Sequence, residues 1–139
     1  MKVDMELSSS SSELPAVQKP VVLVVDDNED NLSLLAFLVE QLDCTILTAV
    51  DGQTALDLAR GYQPVLILLD MMLPDIDGIE VLSRLRQNSL TATIPVIAVT
   101  AMARSQDRER ILSAGCDEYV TKPFNVDEIE ALLLRYLGK

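Results

Sequence analysis

Three stretches of this chain are apolar at every position: Val21-Val22-Leu23-Val24-Val25, Val65-Leu66-Ile67-Leu68-Leu69 and Val96-Ile97-Ala98-Val99. A strand with one wet face alternates apolar and polar side chains, because successive Cβ atoms point to opposite faces. A run of four or five residues without alternation therefore reads as a strand covered on both sides. Sheets of that kind are parallel, and helices carry the chain back across their faces.

The intervening sequence supplies such helices. Residues 31–42 set Leu34, Leu35, Leu38 and Leu42 along one side of a helix. Ala55, Leu56 and Ala59 mark a short second helix, stopped by Gly61. Ile79, Val81, Leu82 and Leu85 form the buried side of a third, and residues 105–114 a charged fourth ended by Gly115. The last opens at Asn125 as N-cap, with Glu128 at the capping-box position and Phe124 and Ile129 placed as a hydrophobic staple. A more exposed strand over 44–50 and a short one over 118–121 complete five strands and five helices. The alternation predicts an α/β fold, a doubly wound five-stranded parallel sheet.

In such a sheet ligands bind beyond the carboxyl ends of the strands, where the strand order reverses. The first strand runs into Asp26-Asp27, the third into Asp70, the fourth into Thr100 and the fifth into Lys122. The second leads instead to Asp51-Gly52, which reads as a helix-entry turn. In the order 2-1-3-4-5 the four polar ends become neighbours and converge on one crevice. Three carboxylates there repel one another and raise each other's pKa unless a cation joins them. Carboxylate ligands without histidine suit Mg²⁺, a hard ion that keeps several of its waters. A carboxylate left accessible beside the ion can attack phosphorus. Lys122 can offset charge on the transferred group, and Thr100 can hydrogen-bond a phosphoryl oxygen.

Composition narrows the alternatives. The 139 residues carry a net charge of −11, which opposes a nucleic-acid surface, since phosphate backbones are met by clustered Lys and Arg. No apolar run approaches the roughly 18–20 residues of a membrane span, and residues 1–20 lack the hydrophobic core of a signal peptide. A soluble, cytoplasmic protein is expected. The chain has no histidine, so it holds no histidine triad, no histidine-ligated metal and no phosphohistidine of its own. Cys44 and Cys116 are too far apart in sequence to begin a zinc motif and read as reduced, partly buried thiols. Residues 1–19, with serine at every position from Ser8 to Ser12, are expected to form a flexible tail, and residues 20–139 the domain. The sequence stops at Lys139, just past the last helix, so no output domain is expected.

Four segments carry a family resemblance: Val24-Val25-Asp26-Asp27-Asn28, Leu69-Asp70-Met71-Met72-Leu73-Pro74-Asp75-Ile76-Asp77-Gly78, Val99-Thr100-Ala101 and Tyr119-Val120-Thr121-Lys122-Pro123-Phe124. In order and spacing they resemble bacterial response-regulator receiver domains, over essentially all of residues 20–138, and in particular the chemotaxis-type, single-domain regulators. The resemblance implies a flavodoxin-like 2-1-3-4-5 sheet and a signalling switch rather than an enzyme. Asp70 would be the phospho-acceptor, taking its phosphoryl group from the phosphohistidine of a sensor histidine kinase or His-phosphotransfer protein. Mg²⁺, for which Mn²⁺ can substitute, would be held by Asp27 directly, by Asp26 mainly through water, by Asp70 and by the backbone carbonyl of Met72. Thr100 and Lys122 would match the switch hydroxyl and the lysine of the site, and Tyr119 the aromatic that turns inward with Thr100. The Lys122–Pro123 bond would be cis. The positions flanking the hydrolytic water would be Met72 and Met102. The signal would leave by contact with a downstream protein, with neither nucleic acid nor membrane as partner.

Plainer readings stand beside these. Asp26 or Asp27 would serve as a helix N-cap, Thr100 would simply end a strand, and Tyr119 would be a half-buried aromatic with its hydroxyl exposed. Asp75 and Asp77 belong to the loop, with Asp77 suited to start the next helix. An aspartyl phosphatase of the haloacid type would need a second aspartate two residues after the nucleophile, where Met72 stands. A degenerate receiver would lack an acidic-pair member, the acceptor or the lysine, and all are present.

Overall fold

The computed structural model describes residues 19–138. Ten elements alternate along it: β1 (Val21–Val25), α1 (Glu29–Glu40), β2 (Thr45–Ala49), α2 (Gly52–Tyr62), β3 (Leu66–Leu69), α3 (Gly78–Gln87), β4 (Val96–Thr100), α4 (Ser105–Ser113), β5 (Glu118–Thr121) and α5 (Val126–Leu137). The strands form one parallel sheet in the order β2-β1-β3-β4-β5.

The unbroken apolar runs are explained by what covers them. Leu23, Val25, Ile67, Leu69, Val96 and Ala98 face a core shared with α2, α3 and α4. Val22, Val24, Leu66, Leu68, Ile97 and Val99, at the alternate positions, face a second core closed by Leu35 and Val39 of α1 and Ile129 and Leu133 of α5. β2, paired on one side only, carries exposed Thr45 and Thr48 and behaves as the more exposed edge strand the sequence suggests. Cys44 and Cys116 are buried and not disulfide-bonded. Among the described residues, no helix is long and apolar enough to cross a membrane. The tail expected over residues 1–19 lies, apart from Lys19, outside the described residues.

Two helices differ from the reading of the sequence. Gly61 does not stop α2, which runs on to Tyr62 and closes at Gln63, in the left-handed region at φ 47° with its amide on Ala59 O. A single helical glycine costs only about 1 kcal/mol against alanine, and Pro64, with no amide to donate, is the firmer stop. α1 begins at Glu29 because Asn28, not an aspartate, is its N-cap, its side chain accepting from the Asn31 amide at 3.0 Å. The buried line of α1 is Leu35 and Val39, four residues apart, with Leu32, Leu38 and Leu42 packed beside it. Leu34 lies about 100° around the helix from Leu35 and is 40 % exposed, and Phe37 is 55 % exposed.

Asn125 caps α5 as expected, accepting from the Asp127 and Glu128 amides, and Phe124 and Ile129 join the same core. Gly115, at φ 111°, follows the end of α4. Its carbonyl accepts two bonds from Arg86 of α3, at 3.0 and 2.7 Å. The same guanidinium reaches Ala92 O, Ile94 O and the Asp117 carboxylate, which in turn holds the Val96 amide at 2.8 Å. One side chain thereby fixes the entries to both β4 and β5.

Candidate functional site

The strand order makes β1, β3, β4 and β5 consecutive neighbours, and their carboxyl ends deliver Asp26, Asp70, Thr100 and Lys122 to one crevice. Asp26 is 1 % exposed, Asp70 4 % and Thr100 0 %, whereas Asp27 is open to solvent. One carboxylate oxygen from each of Asp26, Asp27 and Asp70 lies within 4.8 Å of the others. Three oxygen donors so spaced, one reachable from water and no histidine or thiol among them, fit a hard divalent ion such as Mg²⁺.

The crevice also contains its own cation. Lys122 Nζ donates to Asp26 Oδ2 at 2.6 Å and to Asp70 Oδ2 at 2.9 Å. The remaining oxygens accept backbone amides, Asp26 Oδ1 from Asn28 at 2.8 Å and Asp70 Oδ1 from Met72 at 3.0 Å. Each buried carboxylate is thus bound at both oxygens, as burial of charge requires. Burial pushes the Asp26 carboxyl above the ordinary range; the bonds from Lys122 and Asn28 pull the other way without cancelling it. For Lys122 burial favours the neutral amine, but hydrogen bonds and attraction to Asp26 and Asp70 prevail, and its pKa is raised. The Lys122–Pro123 bond is cis.

Thr100 brings its hydroxyl to the crevice floor, where it accepts from the Met102 amide at 3.4 Å; the Lys122 amide donates to Thr100 O at 2.8 Å. Asp27, Met71, Met72, Leu73, Pro74, Asp77 and Met102 line an open cleft of about 540 Å³ over the acidic cluster. Asn31, Leu34, Ala101, Lys122, Pro123 and Phe124 line a second, smaller and mostly apolar groove. Asp77 caps α3 through the Ile79 amide at 2.8 Å, as its place before Gly78 suggests. Asp75 does more than fill the loop. Its carboxylate accepts the amides of Gly52 and Gln53, which hold its pKa below the usual carboxylate range. The sequence gives no local signal for this contact, since the partners are 22 and 23 residues away.

Tyr119 packs against the core cluster under α2, α3 and α4, with the Arg108 guanidinium 5.7 Å from its ring centre. Its hydroxyl is not exposed but buried, with no partner in good hydrogen-bond geometry; burial raises the phenol pKa, and the nearby Thr121 side chain pulls it down without cancelling that. A buried hydroxyl left unpaired costs about 1–3 kcal/mol. Tyr119→Phe, which deletes only that oxygen, is expected to stabilise the protein by about 1 kcal/mol, read as a higher midpoint in urea at unchanged slope. A lower midpoint would mean the hydroxyl has a partner.

Comparison with known proteins agrees with this architecture. Residues 22–134 match the response regulator receiver domain family. The polar-differentiation response regulator DivK of Brucella anthropi is 42 % identical over 117 residues, covering 84 % of this chain and 95 % of that protein. The receiver domain of the Francisella response regulator 1452 superposes with a TM-score of 0.78 at 31 % identity, covering 86 % of this chain and 97 % of that one. The receiver domain of the sensor histidine kinase PA1611 from Pseudomonas aeruginosa PAO1 gives 0.79 at 31 % identity, covering 87 % and 99 %, and has a magnesium ion coordinated in its active-site cleft. The chain belongs to the response regulator receiver domain family, the phosphoryl acceptors of two-component signalling.

Proposed function

We propose that Asp70 takes the phosphoryl group, and that Asp26, Asp27, Asp70 and the Met72 carbonyl hold Mg²⁺, or Mn²⁺ in its place, beside it. The observation that carries this reading is the cluster itself: three carboxylates within 4.8 Å at adjacent strand ends, with Lys122 on the acceptor. The bound ion would offset the charge of the carboxylates and of the incoming phosphoryl oxygens.

The protein's own groups do the rest. An Asp70 oxygen attacks phosphorus, the phosphorus–nitrogen bond to the donor's imidazole breaks, and the imidazole leaves with that electron pair. Lys122, already 2.9 Å from Asp70, pairs with the oxygens of the new acyl phosphate. The Thr100 hydroxyl turns from the Met102 amide to donate to one of them. Because this chain has no histidine, the donor is a separate phosphohistidine protein, a sensor histidine kinase or a His-phosphotransfer protein. The groove formed by Leu34, Pro123 and Phe124 offers it an apolar seat next to Lys122. The protein then acts as a switch, catalysing only its own phosphorylation and dephosphorylation. The match to DivK over 95 % of that protein's length supports output through contact with a downstream protein partner.

Incubation with acetyl phosphate and Mg²⁺ is expected to add one phosphoryl group to the intact mass, and chelation to prevent it. No gain, or a gain indifferent to Mg²⁺, would refute the site.

The lifetime of that phosphoryl group follows from the cleft. Hydrolysis needs a water held in line with phosphorus, and polar side chains near the site can orient it. Met72 and Met102, on the cleft walls, offer only weak thioether acceptors and bulk that excludes water. Met72→Asn combined with Met102→Glu is expected to speed loss of the phosphoryl group by at least about tenfold. Decay measured after acetyl phosphate is removed, at constant Mg²⁺, tests this; equal rates would show that the side chains do not govern the water.

A further inference from the structure

We propose that Asp75 is a positioning residue for the acidic site, holding Asp70 in register by fastening the β3–α3 loop to the N-terminus of α2. The inference rests on the reading of Asp26, Asp27 and Asp70 as the metal and phosphoryl site. Asp75 itself belongs to no part of that chemistry: it is exposed, and its carboxylate is not among the three that cluster.

Both of its oxygens are nevertheless engaged. Oδ1 accepts from the Gly52 amide at 2.7 Å and Oδ2 from the Gln53 amide at 3.0 Å. These are the first amides of α2, which have no acceptor within the helix, and a carboxylate is favoured at that positive end. Asp51, the N-cap, serves only Thr54 through its side chain, at 2.8 Å. The terminus is therefore capped by two segments, one of them the loop that follows the acceptor. The fit is close: a Cβ on Gly52 would meet Val81 Cγ2 at 3.0 Å, Ile76 Cβ at 3.1 Å and Asp75 Oδ1 at 3.3 Å.

The loop is also closed at its base. The Gly78 amide donates to Met71 O at 3.1 Å, and a Cβ on Gly78 would stand 2.4 Å from Met71 Cα. Between the base and the Asp75 tether lies Met72, whose amide binds Asp70 Oδ1 at 3.0 Å. The chain of contacts runs from the α2 amides through Asp75 and the loop backbone to the acceptor carboxylate. With the tether cut, residues 72–77 keep their base and the packing of Leu73 and Ile76 on the core but lose both bonds from Asp75 to α2, and the Met72 amide is freer to drift from Asp70.

The test compares the full chain with Asp75→Ala, Asp75→Asn and Asp51→Ala. Mg²⁺ affinity is read by calorimetric titration, and the Met72 amide by hydrogen exchange. Asp75→Ala is expected to weaken Mg²⁺ binding by about tenfold, the lower end of what loss of an outer partner of a metal ligand costs. Met72 exchange should quicken in the same variant. Asp75→Asn, which keeps one acceptor, should fall between the two. Asp51→Ala removes a cap from the same helix end and should lower the melting temperature with Mg²⁺ affinity intact. Wild-type affinity or wild-type Met72 exchange in Asp75→Ala overturns the inference, as does an equal loss of affinity in Asp51→Ala. If the wild type binds no Mg²⁺, the metal reading of the cluster fails instead, and Met72 exchange alone decides the tether.

Discussion

Asp70→Asn is expected to end phosphoryl uptake completely, with no mass gain after prolonged incubation in acetyl phosphate and Mg²⁺. A carboxamide has nearly the shape of a carboxylate but neither its charge nor its nucleophilicity. The effect on stability is smaller and has two parts. Removing one of three clustered carboxylates relieves repulsion, but Lys122 already sits between Asp26 and Asp70 and offsets much of it. Asp70 uses one oxygen for the Met72 amide and the other for the Lys122 ammonium, both donors. An asparagine can turn its oxygen to only one of them, so its NH₂ must face the other. The gain and the loss oppose each other, and the melting temperature should move by no more than a few degrees, since about 1 kcal/mol corresponds to roughly 4 °C at this size. Phosphorylation of the Asn variant at the wild-type rate would move the acceptor to another residue.

How much of this could be read from the chain depends on how far apart the interacting residues lie in sequence. The three central strands announce themselves because each is covered on both faces, so every position is apolar. The crevice is legible for a related reason: a polar residue directly after such a run has its place fixed by the strand. Knowing that Asp26, Asp70, Thr100 and Lys122 end neighbouring strands nearly amounts to knowing the site. Where helices end, and which of their faces is buried, is decided by weaker and competing terms. Gly61 is tolerated inside α2, and Leu34, apolar and in helical phase, faces the groove beside Lys122 instead of the sheet. Arg86 and Asp75 are the clearest omissions. Each binds backbone groups that exist as a target only once distant segments are folded, Gly115 O for one and the α2 amides for the other. The Tyr119 hydroxyl is similar, since nothing local shows whether an aromatic's polar end reaches water.

Lys122→Met should destabilise the metal-free protein by about 3 kcal/mol at pH 7, the lower end of the cost of removing one partner from a buried ion pair. The lower end applies because Asp27 keeps the crevice open to water on one side. Methionine preserves most of the side chain's bulk, so the loss is of charge rather than volume. It leaves Asp26 and Asp70, both nearly inaccessible, with one amide bond each and no cation. The pH dependence identifies the cause. Burial already raises the Asp26 pKa with the lysine present, and removing the lysine raises it further. A carboxyl whose folded pKa lies above its unfolded value contributes stability that is full below about 3.8 and lost as pH rises through the folded value. The variant therefore loses least in acid, where the Asp26 carboxyl is protonated and needs no partner. In the wild type Lys122 has a raised pKa, so its contribution persists through neutral pH and is lost only above about 10.5, as pH rises through its folded value. The deficit of the variant should accordingly be widest between these limits and narrow toward pH 4. Urea unfolding in EDTA at pH 4 and pH 7 measures it directly. A deficit equal at both values would assign the role of Lys122 to packing, and the ion pairs to Asp26 and Asp70 would then contribute little to the fold.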